Sequence, residues 1–200
     1  MRGPVARGVA DPKLAAAMGS ARGTELSLDL DVQIDDLDAC LADPRHRARL
    51  GGTVTLAGVA DRAPIEEGSL EMYVPSRTDG AKLMRYRVRF RDKQGTPYLV
   101  RGKKVIRTPG PSVREQVTLF TEILQGDDQG PLWGAGILVF RLQDLPAFLA
   151  SMRADGSSRW AALWRFLQFA RRELSQPPVF DTADDSADQG PPRFSRTTAA

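Results

Sequence analysis

Two hundred residues, 42% of them hydrophobic, are enough for one domain with a sizeable core and not comfortably for two. The 28 lysines and arginines against 25 aspartates and glutamates give a formal charge of +3, a mild excess that does not by itself argue for nucleic acid. The single cysteine, Cys40, excludes an intramolecular disulfide, no Cys and His spacing resembles a zinc site, and no apolar run approaches the roughly 18 residues needed to span a bilayer.

Residues 1–23 are rich in Gly, Ala and Arg with no sustained period and are expected to form a flexible arm. Their longest apolar run, 14–18, is too short for a signal-peptide core, so a soluble, cytoplasmic protein is expected. From residue 24, Leu26, Leu28, Leu30, Val32 and Ile34 alternate with Ser27, Asp29, Asp31 and Gln33, the period of a strand with one dry face. Asp35 or Asp36 can cap a short helix through Leu41, and Asp43 before Pro44 predicts a second helical turn ending near Leu50 and stopped by Gly51 and Gly52. A strand over 53–60, a turn through Pro64 and Gly68, and a strand over 69–74 follow, with Leu70, Met72 and Val74 opposite Glu71 and Tyr73.

The clearest stretch is 83–107. Met84, Tyr86, Val88 and Phe90 alternate with Arg85, Arg87, Arg89 and Arg91, the polar run 92–95 makes a turn, and a second β-rich run over 96–107 pairs with the first. Another hairpin joins 116–125 to 132–142 around the turn 126–130. About seven strands on short connections predict a mainly β fold, an antiparallel barrel or sandwich. Two C-terminal helices flank it, one starting at Asp144 and Pro146 and broken by Gly156, the other capped at Ser157 or Ser158 and running to Leu174. Residues 24–174 thus form one domain, and 175–200, with four prolines and four aspartates, a disordered tail.

No nucleophile elbow, P-loop, metal-binding helix or dinucleotide fingerprint is present, so no catalytic residue, metal or cofactor is assigned. Arg85, Arg87, Arg89 and Arg91, joined by Arg101, by Lys103 or Lys104, and by Arg107, form either an anion-binding wall or, more simply, a solvated face balanced by Glu71, Glu122, Asp29 and Asp31. No aromatic residues interleave with them, which disfavours nucleic acid. In the last helix Trp160, Leu163, Trp164, Leu167 and Leu174 form the stripe expected to dock, leaving Arg165, Phe166, Phe169 and Arg172 as a surface for a partner protein or peripheral membrane contact. His46 lies in a basic turn with no orienting partner, and Cys40 reads as a small core residue.

The runs "LADPRHRARLGGTVTLAG", "MRYRVRFRDKQGTPYLVRGKKVIR" and "GPLWGAGILVFRLQDLPAFLASMR" resemble a β-rich accessory domain associated with bacterial glucose-methanol-choline oxidoreductases of cholesterol-oxidase type and with α/β-hydrolase fusion proteins. The resemblance spans roughly 24–174 and implies an association with lipid or steroid redox chemistry, with no catalytic residues carried over. The expected function is a non-catalytic domain that binds an apolar, lipid-like or steroid-like ligand, or a partner oxidoreductase or hydrolase. Met72, Met84, Tyr86, Val88, Phe90, Leu119 and Trp133 are placed near the barrel interior as ligand-binding residues. The alternative is a small cofactor-independent cyclase or isomerase acting inside the barrel, with Tyr86, Tyr98, Arg101 and Glu122 as its candidate polar groups.

Overall fold

Period-two alternation closes on itself here. In the computed structural model, which describes residues 1–76, 81–107, 118–140, 153–154 and 159–175, eight antiparallel strands form a closed barrel. They are β1 (Arg2–Arg7), β2 (Glu25–Ile34), β3 (Ala48–Leu56), β5 (Glu67–Pro75), β6 (Lys82–Arg91), β7 (Pro97–Ile106), β8 (Thr118–Gln125) and β9 (Leu132–Val139). The order around the barrel is β1-β2-β3-β5-β6-β7-β8-β9, and β9 pairs with β1 to complete it. Strand β4 (Ala60–Pro64) lies outside, paired with the end of β3, and β10 (Arg153–Ala154) runs parallel to the end of β2.

One face of every barrel strand turns inward. Leu26, Leu28, Val54, Leu56, Val88, Phe90, Leu119 and Ile123 are all buried in a single apolar cluster, with Phe90 stacked on Tyr98 at 5.4 Å between ring centroids. Two bulges re-aim side chains into this core. On β5 the register shifts between Glu71 and Val74, so Met72 and Tyr73 both oppose Met84, and Tyr73 takes a φ of 57° and turns inward. On β9 the shift leaves Trp133 as an extra residue between Gly134 and Leu132, and it too is buried.

The N-terminal segment is not the arm expected of it. Residues 2–7 are a barrel strand, and helix α1 (Pro12–Arg22) packs across the outside of β1 and β9. Asp11 caps α1 by accepting from the Leu14 N–H at 2.7 Å, Pro12 opens the first turn, and Gly23 closes the helix at a φ of 67°. The contact with the barrel is made by small residues: Ala15 is buried against Ala6 and Ala135, and a Cβ on Gly19 would stand 2.3 Å from the Val5 carbonyl oxygen.

Helix α2 (Leu37–Ala42) forms after β2 as expected, but the predicted second helical turn does not. The Asp43 carboxylate accepts instead from the backbone N–H groups of Arg45 and Arg47, making a turn, and β3 starts at Ala48 and runs straight through Gly51 and Gly52. The run around Pro64, expected as a turn, is strand β4. Helix α3 (Arg159–Ser175) occupies the position of the predicted last helix. Of the helix predicted from Asp144 to the break at Gly156, only Arg153 and Ala154 are described, and they form strand β10 instead; the rest of it and the tail 176–200 lie outside the described residues. Among the described residues no helix is long and apolar enough to cross a membrane.

Candidate functional site

The arginine ladder is on the outer face, and most of its members hold a carboxylate. Arg85 is 3.6 Å from Glu71, Arg89 is 3.3 Å from Glu67, Arg91 is 3.0 Å from Glu66, and Arg87 makes a bidentate pair with Asp128. Arg101 on β7 bonds Glu122 on β8 at 2.8 Å, directly opposite it in the register. Glu71 and Glu122 are thus partners of the basic face, as expected. Asp29 and Asp31 lie on β2, away from the ladder, and Glu66, Glu67 and Asp128 take the remaining places. The hydrogen bonds from Arg87 hold the Asp128 carboxyl below the ordinary carboxylate range, outweighing the opposing effect of burial.

Between this face and the start of α1 runs a half-open groove of about 770 Å³. Its floor is apolar at Val105, Phe120 and Pro12, and its sides carry Lys13, Arg85, Arg87, Arg101, Lys103 and Arg107 against the carboxylates of Asp11, Glu71 and Glu122. Lys103 makes no ion pair within the described residues, and Glu71 is shared loosely between Arg85 and Arg45, both at 3.6 Å.

The seven residues expected inside the barrel are all there. Met72, Tyr86, Val88, Phe90, Leu119 and Trp133 belong to the buried core, and Met84 packs against it half-buried. They belong to one buried apolar cluster with Leu26, Leu28, Val54, Leu56 and Leu138. Of the four polar groups considered for chemistry inside the barrel, Tyr86 and Tyr98 are inward, while Arg101 and Glu122 pair with each other outside.

The polar groups at one barrel end include Lys82, which sequence reasoning missed, and Lys104, which it offered as an alternative to Lys103 in the outer ladder. Lys82 is almost wholly buried, and its ammonium donates to both the carboxylate and the backbone carbonyl of Glu173 on α3, each at 2.7 Å. Lys104 sits opposite Met84 on the inner face, in step with Val100 and Gly102, while Lys103 points out. Burial lowers the Lys104 ammonium to a pKa of about 8. Tyr73 is pushed up to about 12 by burial, with the Glu173 charge adding to it, and burial pushes Tyr86 up as well.

For Tyr73 this has a consequence at high pH. A phenol raised from 10 in the unfolded chain to about 12 in the fold contributes stability that is complete below pH 10 and is lost as pH rises through 12. Urea midpoints should therefore fall further between pH 9 and pH 11 for the native chain than for Tyr73→Phe, by an amount corresponding to about 1 kcal/mol.

Helix α3 docks with the face opposite to the one expected. Phe166, Phe169 and Ala170 pack against the barrel core, with Phe169 edge-on to His46 at 4.6 Å and to Tyr73 at 5.7 Å. Trp164 and Leu167, assigned to the docking stripe, are 63% and 38% exposed. Arg165 pairs with Asp38 of α2, and Arg172 is exposed. The exposed apolar edge of the helix is therefore Trp164 and Leu167, in place of Phe166 and Phe169. His46 places Nδ1 3.1 Å from the Cys40 carbonyl oxygen, and the Cys40 thiol is raised by burial, with the Asp43 charge adding to it, so it stays protonated at neutral pH. Among the described residues no group of His, Cys, Asp or Glu is placed to hold a metal ion. Comparison with protein-family models, curated proteins and solved structures finds no match to this chain.

Proposed function

We propose that the chain is a non-catalytic binding domain whose ligand is an amphipathic anion, an apolar body carrying a carboxylate, sulfonate or phosphate, held in the groove outside β5 to β8. The observation that carries this reading is the joining of an apolar floor at Val105 and Phe120 to a basic rim at Lys103, Arg85 and Arg101 in one half-open space of about 770 Å³. That volume suits a small molecule, and the composition suits one that is both greasy and charged. The barrel interior is lined by fully buried large side chains such as Phe90, Leu26 and Leu119, which favours the outer groove over the interior. The likeness of three sequence runs to accessory domains of large oxidoreductases and hydrolases supports a lipid-like ligand and a partner enzyme working on such compounds.

The test uses 8-anilinonaphthalene-1-sulfonate as a fluorescent probe and dodecanoate and dodecanol as competitors. Saturable probe binding is expected, displaced by dodecanoate and not by dodecanol, and weakened by salt because the rim is solvent-facing. Lys103→Glu should weaken probe binding about tenfold by removing one cation and adding an anion, roughly 1.4 kcal/mol of charge-assisted contact. Equal displacement by the alcohol, or no change in Lys103→Glu, would sink the reading.

A further inference from the structure

Consecutive lysines on a strand must point to opposite faces, so one of Lys103 and Lys104 is forced to the interior. Counting from Val100, which is wholly buried, through Gly102 puts Lys104 there and Lys103 in the groove. The surroundings of Lys104 are apolar. Met84 faces it across the ladder, Ile106 follows it on the same strand face, and Leu119 closes over the neighbouring Gly102, where a Cβ would meet its side chain at 2.9 Å.

The titratable groups that share this end are Lys82 and Tyr86 on β6, Tyr73 on the β5 bulge and Glu173 on α3; the inner face of β8 offers only Leu119, Thr121 and Ile123. The one carboxylate among them, Glu173, is engaged by Lys82. Lys104 makes no hydrogen bond or ion pair within the described residues, and the residue is half-buried, not sealed in the core. A desolvated amine with no counter-ion among the described residues is the arrangement that favours the free base, the form with a lone pair to give.

We propose that Lys104 is a nucleophilic amine that condenses with an apolar aldehyde or ketone entering the barrel end beside Lys82 and Tyr86. The Nζ lone pair attacks the carbonyl carbon, the carbonyl oxygen takes up a proton to give a carbinolamine, and loss of water leaves the protonated imine; no oxidant or reductant is required. The site is separate from the groove on the outer face and stands whether or not that groove binds an anion. Its ligand class is distinct too, since an imine needs a carbonyl and the groove's basic rim needs an anion.

The experiment treats the full chain with octanal and cyanoborohydride, which fixes any imine as a secondary amine, and locates the adducts by peptide mass mapping. Lys104 should be modified at least tenfold faster than Lys13 and Lys93 at pH 7.5, with a rate that rises with pH and levels off near pH 8. Lys104→Met, in which an apolar chain of similar length replaces the amine, should fold and lose that adduct while the slow surface adducts persist. Modification of Lys104 no faster than that of Lys13 and Lys93, or a rate still climbing at pH 10, overturns the proposal.

Discussion

Gly52→Ala is expected to lower the stability of the barrel by about 3–5 kcal/mol, read as a large fall in the urea midpoint with little change in slope. Gly52 has a φ of 118°, a conformation that L side chains rarely adopt, and a Cβ there would lie 1.9 Å from the Asp29 carbonyl oxygen across the β2–β3 ladder. Backbone strain of about 1–3 kcal/mol adds to an overpacking cost of similar size, because the clash is with main chain that is itself paired. Gly51, one residue earlier, is the internal control. A Cβ at that position meets only the end of the Gln33 side chain at 3.4 Å, so Gly51→Ala should stay within about 0.5 kcal/mol of the native chain. Since a domain of this size is stable by about 5–15 kcal/mol, the first substitution consumes much of the margin and the second almost none. Equal midpoints for the two variants would mean that the tight approach of β2 and β3 at Gly52 is not a constraint of the folded state.

The strands that were legible in the sequence are those with a polarity contrast between their two faces. β2, β6 and β7 bury one face and wet the other, so Leu26 to Ile34 and Met84 to Phe90 could be read almost to their ends. β1 gave no such signal because α1 covers its outer side: Gly3 and Val5 turn inward and Ala6 is buried under the helix, leaving little contrast in six residues. α1 was hidden for the related reason that the residues it buries, Pro12, Ala15 and Gly19, are small and make no apolar stripe. Its end signals were nevertheless present in Asp11, Pro12 and Gly23. The same Asp and Pro pair at 43–44 pointed to a helix that does not exist, because the alternation of Ala48 and Leu50 with Arg47 and Arg49 continues as a strand into the core. A cap signal carries weight only when the residues after it repeat with a helical period.

The same parity argument divides what could be read of the candidate sites. The outward direction of the ladder followed from its alternation with Tyr86, Val88 and Phe90, and its pairing with Glu71 and Glu122 followed from strand adjacency. The bidentate grip of Asp128 on Arg87 did not, since it reaches from a hairpin turn 41 residues away. In α3 both helix faces carry aromatic residues, so apolar content alone could not select one. Position 173 bears on the choice: Phe166, Phe169, Ala170 and Glu173 share a face at helical spacing, and among the described residues the buried cation that Glu173 meets is Lys82.

Lys82→Met is accordingly expected to loosen α3 and to cost about 3 kcal/mol. The Lys82 side chain is 5% exposed and that of Glu173 19%, so removing the ammonium strands a carboxylate that water reaches poorly, and breaking such a pair from one side is far more costly than never having built it. Glu173→Gln should cost a similar amount from the other side, leaving the ammonium with only neutral acceptors. The double variant Lys82→Met with Glu173→Leu removes both charges and fills the contact with apolar groups, and it should recover most of the loss. Hydrogen exchange along α3 is the measurement that separates the terms, because the other contacts of the helix, Phe166 and Phe169 on the core and Arg165 on Asp38, are unchanged in all three variants. Loss of α3 protection in each single variant and its return in the double one would identify the pair as the device that selects the docked face. Full protection in the single variants would assign the docking to the two phenylalanines alone, and Lys82 would then be a buried charge that the fold tolerates.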